Sequence, residues 1–155
     1  MLPVSDKAKR LAAVTAIATA LAVPAEGLRQ FAYYDPPGIL TVCYGHTGDV
    51  VKGKKYSLEE CKGLLNEDML EAVNAVEACH PRLPVNVHAA FADAAYNLGP
   101  RVACESTASR YLASGNYEAA CRELPKWNKA RVAGVLVPLP GLTKRRNTEM
   151  TVCLS

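Results

Sequence analysis

Six cysteines, Cys43, Cys61, Cys79, Cys104, Cys121 and Cys153, are spread along a chain of 155 residues. An even count at this length reads as up to three disulfides and an oxidising compartment. Each bond would require its two Cα atoms to come within roughly 4.4–6.8 Å, which rules out most arrangements of the chain. Six cysteines still permit fifteen pairings, and spacing alone does not choose among them. The alternative use of cysteine is metal binding. The sequence has no CxxC or HExxH, and its nearest ligand cluster, Cys79-His80 with His88, fits no familiar zinc spacing. Neither a metal nor another cofactor is expected.

A chain this long fits one domain with a real core. Half its residues are apolar and 21% are charged, as in ordinary soluble globular proteins. The net charge of +3 would help it approach an anionic polymer, although a mildly basic surface is usually only a solvated one. No Lys/Arg run with interleaved aromatics points to nucleic acid.

Lys7, Lys9 and Arg10 precede LAAVTAIATALAVPA, residues 11–25, which carry no charge. That is the layout of a secretion signal, with Val23-Pro24-Ala25 similar to a cleavage site. Cleavage there would leave Glu26 first in the mature chain, without the helix that aims it, so the expectation is an uncleaved signal. Fifteen helical residues span about 22 Å, short of a ~30 Å hydrocarbon core. The segment is rich in Ala and Thr, with Thr15 and Thr19 expected opposite Val14, Ala18 and Leu21. Such a helix can serve in export and also pack against protein in water. The expected division is residues 1–25 as a signal-anchor-like helix and residues 26–155 as the functional domain.

Beyond it, residues 31–46 read as extended around the turn signal Asp35-Pro36-Pro37-Gly38. Ser57 and Glu60 form a capping box for a helix of about six turns, carried by Leu58, Cys61, Leu65, Met69, Ala72, Val76 and Cys79 and ended by Pro81. Three or four shorter helices follow: one ending at Gly99, one in STASRYLASG, one starting at Asn116 and breaking at Pro125, and TKRRNTEMTVCL. A loop with Pro138 and Pro140 is expected before the last. The class is α+β, a small antiparallel sheet near the N-terminus followed by a mostly helical body, with the helix from residue 57 bridging two lobes.

Glu26 closes the apolar segment and Asp35 sits in the turn nine residues on. Two carboxylates in different environments are the usual equipment for cleaving a glycosidic bond. At a helix end the dipole favours the protonated form of Glu26, whereas Asp35 in a wet turn keeps its charge. Spacing alone is weak evidence, since surface Glu and Asp pairs are common.

Glu26, Asp35 and Thr41, embedded in EGLRQFAYYDPPGILTVCYGHTG, resemble the catalytic signature of the phage-type lysozymes, the endolysin family, in its lambdoid branch. The resemblance continues through YSLEECKGLLNEDM, AAFADAAYNLG, STASRYLASGNYEAACRELPKW and PGLTKRRNTEMTVCL. It implies a two-lobed lysozyme-like fold and hydrolysis of β-1,4 bonds between N-acetylmuramic acid and N-acetylglucosamine in peptidoglycan, causing host lysis. Glu26 would be the general acid, Asp35 the base holding the attacking water, and Thr41 a residue positioning that water. His46, in YGHTG, aligns with a characteristic histidine and reads as a structural tie between strand and loop. Tyr33, His46 and Thr47 are candidate substrate contacts. Tyr33, Tyr34 and Trp127 could line a sugar cleft, although aromatics there are more often core.

The family's folding order implies the pairs Cys43–Cys61, Cys79–Cys104 and Cys121–Cys153. One branch has uncleaved N-terminal segments that tether the enzyme to the inner membrane and later release it into the host periplasm. No cysteine lies before Cys43, so a thiol switch within the anchor is not expected. The resemblance implies a monomer. The rival readings are a lytic transglycosylase, which would not need Asp35, and a non-catalytic wall-binding protein. Lys144, Arg145 and Arg146 read as a solvated face rather than an outer-membrane-disrupting one.

Overall fold

A computed structural model describes residues 5–155. Helix α1 (Asp6–Glu26) starts at Ser5, whose hydroxyl accepts the Ala8 N–H, and ends at Gly27 with φ 67°. It is longer than the apolar run suggested, because Lys7, Lys9 and Arg10 form its first turns. At 21 residues it measures about 31 Å. Val14, Thr15, Ala18 and Ala22 are its buried residues. Thr15 is therefore on the inner face, not opposite it as the sequence suggested. Its hydroxyl donates to the Leu11 carbonyl at 2.7 Å, so burial leaves that group satisfied.

Strands β1 (Arg29–Tyr34), β2 (Leu40–Cys43) and β3 (His46–Thr47) form an antiparallel sheet in that order. Thr41 is the register partner of Tyr33 on one side and of Thr47 on the other. Helix α2 (Leu58–Cys79) begins with the expected capping box, in which Ser57 and Glu60 satisfy each other's backbone N–H groups. Its buried residues are Cys61, Leu65, Met69, Val73, Val76 and Glu77. Leu58 is exposed and Val73 lies deeper than Ala72, so the inner stripe is rotated slightly from the expected one.

Helix α3 (Val85–Leu98) is the most buried element, followed by α4 (Arg101–Cys104), α5 (Thr107–Ala113) and α6 (Tyr117–Glu123). A 3-10 turn over Leu124–Lys126 leads to strands β4 (Lys129–Val132) and β5 (Val135–Pro138), then helix α7 (Pro140–Leu154). The β4–β5 hairpin corrects the expected loop. Its strand-formers were masked by the two prolines, of which Pro138 sits at the strand's end and Pro140 at the first position of α7.

Two apolar clusters define the lobes. One joins Val14, Ala18 and Ala22 to Val42, Tyr44, Leu65, Met69, Val73, Ala89 and Ala92. The other is built on Val87, Phe91, Val102, Leu112 and Leu124, with Trp127 packed against it. Helix α2 contributes to both. All three implied disulfides are present: Cys43–Cys61 joins sheet to α2, Cys79–Cys104 joins α2 to α4, and Cys121–Cys153 joins α6 to α7. The Cys79-His80-His88 cluster is otherwise engaged. His80 Nε2 lies 2.8 Å from the Ala103 carbonyl and 2.9 Å from Ser109 Oγ, and His88 Nε2 lies 2.9 Å from the Val73 carbonyl.

Candidate active site

The last residue of α1 projects its carboxylate into a cleft of about 730 Å³ between the sheet and helices α2 and α3. Glu26, His46, Thr47, Asp68, Tyr96 and Asn97 are among its lining residues. Of the six candidate residues, Glu26, His46 and Thr47 thus line the cleft. Gly45, with φ 87°, faces the acid so closely that a Cβ there would lie 3.6 Å from Glu26 Oε2.

The other carboxyl oxygen is anchored. Arg145 of α7 donates from Nη1 to Glu26 Oε1 at 2.6 Å, while its Nε and Nη2 form a fork on Asp93 of α3 at 3.0 and 2.7 Å. Arg145 is 7% exposed and the Asp93 side chain not at all. Burial works against the Arg145 charge, but Asp93 and Glu26 outweigh it and raise its pKa further above the usual value. Behind this pair, the buried Arg146 holds Glu149 by two bonds at 2.6 and 2.9 Å. Burial pushes the Glu149 carboxyl up to about 9, Asp93 adds to the rise, and Arg146 pulls the other way. Arg145 and Arg146 are therefore neither a solvated face nor a membrane-disrupting one, because both guanidiniums turn inward onto acids. The helix-end placement of Glu26 is as expected, but its nearest charge is a cation that opposes the dipole. Glu149, three and four residues after the arginines, was the available sequence signal.

Asp35, Thr41 and Tyr33 are not among the lining residues of this cleft: Tyr33 is in β1, Thr41 in β2, and Asp35 in the turn between them. Asp35 Oδ1 accepts the Ile39 N–H at 2.7 Å, and the Ile39 carbonyl receives both the Asp35 N–H at 3.0 Å and the Thr41 hydroxyl at 2.9 Å. Asp35, the Pro-Pro-Gly turn and Thr41 thus form one hydrogen-bonded unit centred on Ile39. Thr41 is 4% exposed and is the register partner of Thr47 in the cleft.

His46 ties strand to loop, as expected, through Nε2 to the Gly48 carbonyl at 3.1 Å, and also ties the sheet to α2 through Nδ1 to Asp68 at 2.7 Å. Tyr96 donates to the Tyr44 carbonyl at 3.0 Å, and burial, with Glu26 adding, pushes its hydroxyl pKa up. Tyr33 lies under the Arg29 guanidinium and Tyr34 under the Lys52 ammonium, and neither lines the cleft.

A small antiparallel sheet and a helical body on either side of an open cleft define a lysozyme-like fold. The family model described as phage lysozyme matches residues 24–149. A SAR-endolysin of Pseudomonas phage phiKMV is 37% identical over 142 residues, covering 90% of this chain and 88% of its own. The muramidase domain of SpmX from Asticaccaulis excentricus superposes with a TM-score of 0.81 at 29% identity, covering 89% of this chain and 95% of that one. An endolysin from Escherichia coli O157:H7 phage FAHEc1 gives a TM-score of 0.75 at 30% identity over 99% of this chain and 94% of that one. The chain belongs to the phage lysozyme family and is a glycoside hydrolase, a peptidoglycan-degrading endolysin.

Proposed function

We propose that the enzyme hydrolyses the β-1,4 bond between N-acetylmuramic acid and N-acetylglucosamine with inversion, Glu26 acting as acid and Asp35 as base. The observation that carries this reading is the division of labour between the two Glu26 oxygens. Oε1 is fixed by Arg145, itself fixed by Asp93, while Oε2 faces the cleft beside Gly45. Oε2 is the oxygen placed to carry a proton to the leaving group. Asp35 holds the attacking water on the other face of the sugar, and Thr41, bonded through Ile39 to the same turn, helps to orient that water. Thr47 and His46 contact the sugar chain from the sheet side, with Tyr33 further along it. Inversion needs room for the water, so the two carboxyl groups work roughly 6.5–9.5 Å apart.

The test is lysis of outer-membrane-stripped cells by Glu26→Gln, expected to fall on the order of 10²- to 10⁴-fold. Product analysis separates the rivals. Hydrolysis yields the α-anomer first, whereas a transglycosylase yields an anhydro-sugar lighter by one water.

The enzyme works as a monomer without nucleic acid. Helix α1 is an uncleaved signal-anchor that first holds the enzyme at the inner membrane and is then released into the periplasm. Its length of about 31 Å, its mean hydropathy of 1.3 over the apolar window and its largely exposed surface in the folded enzyme support this reading.

A further inference from the structure

The β4–β5 hairpin projects from the helical body and presents apolar surface that the fold leaves uncovered. Val132 and Val135 flank the two-residue turn Ala133-Gly134, both of whose φ angles are positive, at 51° and 81°. This is the tight hairpin turn that matches strand twist. Val132 is 51% exposed, Val135 60% and Leu136 55%, so the tip carries exposed aliphatic side chains on both of its faces. Register partners share a face, and successive residues alternate between faces. Lys129 and Arg131 therefore stand on the face of Leu136, just behind the tip, both exposed. No acidic residue occurs from Leu124 to Thr148, and Lys126 is already paired with Glu123. Arg131 Nη1 also donates to the Gly134 carbonyl at 3.2 Å, satisfying a turn acceptor at the tip.

We propose that this hairpin docks the folded enzyme on an anionic phospholipid surface, with Val132, Val135 and Leu136 entering the interface and Lys129 and Arg131 meeting headgroup phosphates. Aliphatic residues backed by cations suit a lipid interface, where stems are buried and charges reach the phosphate level. A glycan strand would instead be met by aromatic faces and amides, which the tip lacks. The bonded turn carbonyl removes one polar group that would otherwise oppose insertion. The proposal goes beyond hydrolysis and is separate from the membrane role of α1, which lies in the other part of the chain.

The test is co-sedimentation of the purified enzyme with phosphatidylglycerol–phosphatidylethanolamine vesicles and with phosphatidylcholine vesicles, at low and high salt. Salt-sensitive binding to the anionic vesicles alone is expected. Lys129→Gln with Arg131→Gln should weaken binding more than tenfold, at about fivefold per cation. The triple variant Val132→Ser, Val135→Ser, Leu136→Ser should weaken it similarly. Both should hydrolyse membrane-free cell walls as wild type does, which reports intact folding. Absence of vesicle binding by the wild type overturns the proposal. So does undiminished binding of both variants, which would assign docking to α1. Loss of affinity for purified peptidoglycan rather than for vesicles overturns it too, making the hairpin a wall-binding element.

Discussion

Arg145 holds two acids at once, and its removal acts on each differently. Arg145→Met would leave Asp93 buried with an uncompensated charge, which costs about 3–5 kcal/mol. For a chain of this size the expected fall in melting temperature is on the order of 10 °C by calorimetry. Activity assayed well below that transition should fall as well, because Glu26 Oε1 loses its anchor. Under the proposed assignment, Asp35→Asn should abolish most wall hydrolysis, and Thr41→Ala should be impaired less, since it would remove an orienting hydroxyl and not the base. Glu26, Asp35 and Thr41 are proposed together because they lie within one short stretch of sequence; of the three, the structure places Glu26 in the cleft. Arg145 was not legible in the sequence, because its bond to Glu26 spans 119 positions and basic triplets usually face water. Only the later Glu149 marked that triplet as inward-facing.

The elements that could be read directly were those whose ends carry their own chemistry. The capping box at Ser57 and the glycine at 99 placed α2 and α3 because those groups satisfy backbone ends locally. The β4–β5 hairpin escaped notice because its turn is Ala-Gly, not Asn-Gly, and prolines follow it. The charges of Lys7, Lys9 and Arg10 end the apolar run but not the helix, which begins at Asp6. Ala13, Ala16 and Ala20 are exposed on α1 in the folded enzyme. Replacing all three with Leu should therefore leave the packed face intact while strengthening membrane anchoring. The expected outcome is delayed lysis in infected cells, with wall hydrolysis by the detergent-released protein unchanged. Release and lysis at wild-type rates would count against the tether.

At the scale of the molecule, three crosslinks spanning 18, 25 and 32 residues staple sheet, bridge helix and C-terminal helix together. Chain-entropy arguments assign each roughly 3–4 kcal/mol. Non-reducing peptide mapping should find these pairs and no free thiol, and reduction should lower the melting temperature sharply. Mild acidification acts on two buried groups with opposite sign: Glu149, whose raised pKa makes the folded chain hold the proton, gains stability, and His88 loses it. Burial lowers the pKa of His88 below its ordinary 6.5, so the unfolded chain takes up this proton more readily. That contribution is present above about pH 6.5 and is lost as the pH falls below it. His88→Gln, which can keep a donor to the Val73 carbonyl, should remove the His88 loss, so that between pH 6.5 and 5 its melting temperature rises relative to that of the wild type. The pairing of the cysteines came from family likeness alone, since fifteen schemes fit the spacing.

Arg10 donates to Glu77 through two bonds, at 2.6 and 3.0 Å, joining the start of α1 to the last turn of the bridge helix α2. Under the proposed tether the same arginine also flanks the apolar run during export, where any positive charge suffices. Position 10 thus answers to two selections and Lys7 and Lys9 to one. Drift among natural variants should leave lysine and arginine interchangeable at 7 and 9 but hold arginine at 10, because an ammonium cannot reproduce the fork. A survey of sequence variation across close relatives would read this directly.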